Sequence, residues 1–251
     1  MHMNMIDQKD PAEFSPVKMK PENSSPLQKE EDLSGSVILL DKPYRWTSFD
    51  AVKKLRGVLS AKSGIKRLKV GHAGTLDPLA TGLLVICTGK KTKSIPEIQD
   101  AEKEYSGTFT FGATRPSFDM ETEIDQHFDI AHLTSDMLRE AASYFTKDYL
   151  QYPPVHSAVK VDGVRAYKKA RKGHVFETRP RLVTIKEFDI VTVNLPEVTF
   201  RVVCSKGTYI RSLADDFGKH LKSGCYLSSL RRLRIGTYHI EDAKSIDFFT
   251  K

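Results

Sequence analysis

The chain has 251 residues, 39% of them hydrophobic, and carries a net charge of +7 with a pI near 9.2, enough for one large domain or two small ones with a real core. It contains no run of about 18 apolar residues and no charged-then-apolar start, which excludes a helical membrane protein and an exported one and sets the expectation of a cytoplasmic chain. Cys87, Cys204 and Cys225 lie far apart with no C-x-x-C spacing, which argues against a disulfide framework or a zinc site; they read as reduced, mostly buried thiols, with Cys225 beside Gly224 the candidate for exposure.

Residues 1–35 hold four lysines against seven acidic residues, a net of −3, so the remainder of the +7 chain carries +10. The first segment is rich in Pro, Ser, Lys and Glu and predicts a disordered tail. The basic remainder suits a polyanion such as RNA, although a basic surface also serves solubility. Ser36–Leu40 predicts the first strand. Thr47 or Ser48 then caps a helix with Phe49, Val52, Leu55 and Leu59 on one face. Lys62, Lys66, Arg67 and Lys69 crowd the following loop, either as a phosphate-contact patch or as an ordinary solvated loop.

Gly71 to Lys93 reads GHAGTLDPLATGLLVICTGKKTK. Leu83–Thr88 is a short apolar, β-branched run between Gly82 and Gly89, the pattern of a strand buried on both faces. Gly71 and Gly74 permit positive φ or close approach, and Asp77-Pro78 keeps Asp77 out of the α region, so one carboxylate is presented on a loop held by a rigid strand. Lys90 and Lys93 place positive charge where an anionic backbone could pass. On spacing alone, the favoured reading of Asp77 is the ordinary one, an N-cap with Pro78 at the first helical position.

Lys103–Ala113 alternates with Tyr105, Gly107, Phe109 and Phe111 on one face, predicting a strand. Thr114–Asp125 is expected to be an exposed acidic loop. A helix starting at Ser135 or Asp136 should bury Leu138, Ala141, Ala142 and Phe145. Tyr149–Arg181 is irregular and basic, with Arg165, Lys168, Lys169, Arg171 and Lys172 in its middle. Arg181–Leu195 and Val198–Cys204 predict an antiparallel pair. In the next helix Ile210, Leu213, Ala214, Phe217 and Leu221 form the apolar face, leaving Arg211, Asp215 and Lys219 elsewhere, with Arg211–Asp215 as an i,i+4 pair. Leu230–Ile235 alternates into a last basic strand.

The run GHAGTLDPLATGLL resembles the catalytic motif of the TruB-type tRNA pseudouridine synthases. So, in the family's order, do Leu39-Leu40-Asp41-Lys42-Pro43, Lys103-Glu104-Tyr105, Ser205-Lys206-Gly207-Thr208-Tyr209-Ile210-Arg211 and Leu230-Arg231-Arg232-Leu233, together covering about residues 36 to 238. The resemblance implies a catalytic domain over residues 36–251. Its fold would be α/β (α+β): a mixed, mostly antiparallel sheet flanked by helices, with a thumb-like RNA-gripping insertion at about 149–181. It implies isomerisation of uridine to pseudouridine in the T-loop of tRNA, position 55, by a monomer without cofactor or metal. Asp77 matches the family's aspartate, Arg211 the arginine that pairs with it, Tyr105 the tyrosine against the flipped base and His72 the residue that helps displace it; Lys42, Thr75 and Leu233 are expected to support the site. Pro153–Lys160 matches the start of the thumb and brings in Lys160, while His156 departs from the aromatic residue expected there. Many members continue into an RNA-binding PUA domain, for which no length remains, so weaker contact with the acceptor-stem side of the tRNA is expected. The rival readings are a guide-RNA-dependent synthase with protein partners, a non-catalytic RNA-binding or chaperone module, and a glycosidase, the last needing a second carboxylate that no motif supplies.

Overall fold

The computed structural model describes residues 35–155, 157, 160–161, 164–165, 176 and 178–250. Of the expected tail only Gly35 falls among them, and His156 lies outside them. In chain order the strands are β1 (Val37–Lys42), β2 (Val70–His72), β3 (Ala80–Thr88), β4 (Lys103–Phe111), β5 (Ala113–Thr114), β6 (Gln126–His127), β7 (Asp148–Gln151), β8 (Lys160–Val161), β9 (Val164–Arg165), β10 (Arg181–Asn194), β11 (Glu197–Cys204), β12 (Cys225–Ile235) and β13 (Tyr238–His239). The helices are α1 (Ser48–Ser63), α2 (Ile95–Asp100), α3 (Ser135–Phe145), α4 (Ile210–His220) and α5 (Ile246–Thr250).

The main sheet runs β1-β3-β12-β4-β11-β10-β7, with β2 added to β3 and β13 to β12. Only β3 and β12 pair in parallel; the other neighbours are antiparallel. This is the mixed, mostly antiparallel sheet expected from the sequence. The β3–β12 seam depends on Gly82, whose φ is +99°; a Cβ there would stand 2.4 Å from the carbonyl oxygen of Arg232, so only glycine lets the two backbones meet.

One face of β4, β10, β11 and β12 packs against α3 and α4, with Phe109 stacked on Phe200 at 4.0 Å and touching Phe217. Each such fully buried ring contributes roughly 1.5–3 kcal/mol. Helix α3 buries Leu138, Ala141, Ala142 and Phe145 as the periodicity predicts. The other sheet face is crossed by an ion-pair ladder, Lys186–Glu102–Arg234–Glu104–Arg201–Glu187, with contacts of 2.5–3.0 Å.

Three expectations need correction. Thr47 caps α1 in a capping box with Asp50, but Phe49 points outward at 68% exposure. The inner place is taken by Ser48, whose hydroxyl is hydrogen-bonded inside the fold; hydrophobic periodicity does not see a polar anchor. The Thr114–Asp125 loop is not wholly exposed, because Ser117 and Asp119 are buried beneath it. Cys225 is buried, and that burial pushes its thiol well above the ordinary value.

Candidate active site

Residues Gly74–Leu79 join β2 to β3 as a loop gripped from three sides. Ser48 of α1 donates its hydroxyl to the carbonyl of Leu76 (3.1 Å) and accepts from the Leu76 N–H (2.8 Å). Lys42, with no exposed surface, donates to the carbonyls of Trp46 (2.6 Å), Pro43 (3.0 Å) and Pro78 (3.5 Å). Burial lowers its ammonium to about 8, against the opposing pull of nearby Asp77. Arg232 of β12, also buried, donates from Nε to Leu83 (2.8 Å), from Nη2 to Gly74 (3.1 Å) and from Nη1 to Thr75 (3.5 Å), all carbonyl oxygens.

On this loop Asp77 keeps 40% of its side chain exposed while Arg211, in the first turn of α4, is 4% exposed and places Nε 2.9 Å from Asp77 Oδ2. The same Nε is 3.5 Å from Oδ2 of buried Asp119, and Arg211 Nη1 donates to the carbonyl of Ser117 (3.2 Å). A guanidinium this deep is held by its charged partners. The alternative that spacing offered, an Arg211–Asp215 pair, does not form; Asp215 bonds Lys219 at 2.6 Å. Tyr105 lies opposite Arg232 on the neighbouring strand; burial raises its hydroxyl, so the phenol is neutral at physiological pH. Asp77, Tyr105, Arg211 and Arg232 border one cleft of about 1230 Å³, edged by Lys103, Arg179, Arg181 and Lys206. Burial lowers the Lys103 ammonium to about 8. The result is a basic cleft with the Asp77 carboxylate on a rigid loop at its wall, beside a neutral ring; Asp100, the other carboxylate in the lining, pairs with Lys206 at 2.9 Å.

Of the other sequence candidates, Thr75 borders the cleft and Lys42 lies under its loop. His72 sits on β2 opposite Ile86, outside the cleft lining, with Nδ1 buried and its imidazole kept below the ordinary value by burial. Lys90 and Lys93 are exposed beyond the far end of β3, about 25 Å along the strand from the Asp77 loop. Leu233 is half-buried outside the cleft, whereas Leu230, three residues earlier, lines it. Lys160 is in β8, paired with β9. Sequence reasoning missed Arg232, Asp119 and Lys103 as site groups. Arg232 and Lys103 lie within the quoted blocks, but nothing in the alternation separates Arg232 from its neighbour Arg231. Among the described residues no His, Cys, Asp and Glu cluster suits a metal ion, and no helix is long and apolar enough to cross a membrane.

The base of the basic insertion is tied to α4. Gln151 donates from Nε2 to the carbonyl of Tyr209 (3.1 Å) and to Tyr149 Oη (2.7 Å), and accepts at Oε1 from the Tyr209 N–H (2.7 Å). Ser212 donates to the Tyr152 carbonyl (2.7 Å), and Thr178 closes the insertion's neck by donating to the Pro153 carbonyl (2.7 Å). Tyr149 also lies beside Asp216, whose carboxyl is raised to about 6 by burial and then by Asp215. A folded value above the ordinary 3.8 means that the native state holds more protons between pH 4 and 6, and that ionised Asp216 costs stability above that window. Asp216→Asn should therefore gain in stability over the wild type as pH rises from 4 to 6, by at most about 1.4 kcal/mol per pH unit, with a constant difference above, read as a widening gap in Tm. Parallel curves of Tm against pH would refute this.

A family model described as "TruB family pseudouridylate synthase (N terminal domain)" matches residues 60–210. A curated relative named tRNA pseudouridine synthase B from Flavobacterium johnsoniae is 55% identical over 221 residues, which is 88% of this chain and 96% of that protein. A relative of the same name from Phocaeicola vulgatus is 51% identical over 86% of this chain and 92% of its own length. Among solved structures, one described as the crystal structure of a Cbf5-Nop10-Gar1 complex aligns with a TM-score of 0.64 at 27% identity, over 85% of this chain and 54% of that one.

Proposed function

We propose that this chain, which belongs to the TruB family of pseudouridylate synthases, acts on the T-loop uridine of tRNA at position 55, with Asp77 as the catalytic carboxylate. Conversion of uridine to pseudouridine in tRNA is the activity of the family. The observation that carries the assignment of Asp77 is its 2.9 Å pairing with buried Arg211 at the wall of the basic cleft.

The reaction breaks the bond between N1 and the ribose, turns the uracil and joins C5 to the same sugar carbon. C5 loses a proton and N1 is left with one, so atoms and electrons balance within the substrate and the reading needs no cofactor or metal. The target base must leave its stack at a cost of a few kcal/mol, and a cleft of about 1230 Å³ has room to receive it. Arg211 occupies Oδ2 of Asp77, and Oδ1 has no hydrogen bond among the described residues. That oxygen is the negative atom offered to the nucleoside. Neutral Tyr105 gives the uracil a flat apolar face that costs no desolvated charge. Lys103, Arg179, Arg181 and Lys206 supply the field for the phosphates on either side.

In this reading residues 36–251 form the catalytic domain, the insertion at about 149–181 grips the T-arm with Lys160 among its contacts, and the protein works as a cytoplasmic monomer. A guide-RNA system is less favoured, because the curated tRNA synthases match at about twice the identity of the Cbf5 chain and nearly end to end. The test is to incubate the purified protein, without added cofactor, with an unmodified tRNA transcript and to map pseudouridine. One new pseudouridine at position 55 is expected; product at other positions only, or none while RNA is bound tightly, would sink the assignment.

A further inference from the structure

The turn between β1 and α1 holds Arg45 at a φ of +66°, the left-handed region in which an arginine is strained and a glycine is not. No ion pair of Arg45 exists among the described residues; its guanidinium lies over the Tyr44 ring at 5.6 Å from the centroid. Tyr44 is itself 51% exposed. The backbone below this pair is fixed: the Arg45 N–H donates to the carbonyl of Pro78 (2.8 Å), and Lys42 bonds the carbonyls of Pro43, Trp46 and Pro78. An exposed cation on an exposed ring is thus kept, at a conformational cost, against the residue that follows Asp77. Tyr44 also borders a shallow groove of about 530 Å³, and Leu230 lines both this groove and the catalytic cleft.

A weakly hydrated planar cation stacked on an aromatic ring is chemistry suited to RNA, the guanidinium for phosphate oxygens and the ring for a base or ribose. A strained left-handed backbone kept at an arginine, where a glycine would sit without strain, is the pattern of a functional position. We propose that Tyr44 and Arg45 form a second RNA contact outside the cleft, Arg45 on a phosphodiester of the substrate backbone and Tyr44 against the adjoining nucleoside. The inference deepens the tRNA-modifying reading and rests on it for the kind of RNA.

Arg45→Gly removes strain and charge together. It should raise Tm by about 2 °C, weaken binding of an unmodified tRNA transcript about fivefold at fixed salt, and make the plot of log K against log salt shallower by about 1. Arg45→Lys should keep the wild-type salt slope, and Arg45→Ala should share the shallower slope without the rise in Tm. A wild-type slope in both Arg45→Gly and Arg45→Ala overturns the proposal, and so does weaker binding without a change of slope, which would mark a loosened turn. Affinity and slope are read without turnover, so a wild type that binds tRNA but makes no pseudouridine would end the functional reading and leave this contact standing.

Discussion

Asp77→Asn should fold, bind tRNA and make no measurable pseudouridine, with turnover reduced by about 10⁴-fold or more. Asparagine has the same shape and still offers Arg211 an oxygen at the 2.9 Å position, so the loop held by Ser48, Lys42 and Arg232 has no reason to move. What is lost is the negative charge, which the chemistry requires and which a neutral amide cannot supply. Affinity for the transcript should hold or improve, since a negative charge is removed from a basic cleft that receives phosphates. Single-turnover assays beside a binding measurement separate the two effects. Retained turnover would move the chemistry away from Asp77 and toward Asp119, the other carboxylate on the same guanidinium. A module that only binds RNA would show no turnover in the wild type either.

The second large effect is expected at Arg232. Replacing it with leucine leaves the buried carbonyl of Leu83 and the part-buried carbonyls of Gly74 and Thr75 without their shared donor. At about 1–3 kcal/mol for each unsatisfied group, offset in part by relief of a buried charge, the loss should be roughly 3–5 kcal/mol, or about 10 °C in Tm for a chain of this size. Activity should fall further than stability requires, because two of the three carbonyls belong to the loop that carries Asp77. Its neighbour provides the control. Arg231 forms a bidentate pair with Asp41 at 2.8 and 3.0 Å, but both side chains are more than a third exposed, and Arg231→Leu should cost less than about 1 kcal/mol. Equal losses in thermal unfolding for the two variants would refute this account of Arg232.

That contrast also shows where the sequence stops being readable. In Leu230-Arg231-Arg232-Leu233 the two arginines are chemically identical, and strand alternation says only that they face opposite ways. Which side is dry depends on β3 and β4 closing around β12, a long-range fact. Asp119 was hidden for the same reason: in an acidic loop it looks like solvent-facing charge until Arg211 arrives from a helix some ninety residues later. The apolar faces of α3 and α4, the β10–β11 hairpin and the strand after Asp77 were legible because hydrophobic spacing reports burial directly. Phe49 failed because the inward position was claimed by a serine. The pairing of Asp77 with Arg211 was expected only through the resemblance to the family, since spacing alone left Asp77 an ordinary turn residue.

The neck formed by Gln151, Pro153 and Thr178 marks a natural place to exchange parts. Its hydrogen bonds fasten the near end of the insertion to the start of α4 and close the far end, at Thr178, back onto Pro153, so the length and composition in between can change while the anchorage stays the same. Closing a longer loop is cheap, about 0.6 kcal/mol for each doubling. A protein engineer, or a lineage under selection for a new substrate, can therefore exchange this cassette and leave the Asp77–Arg211 pair as it is.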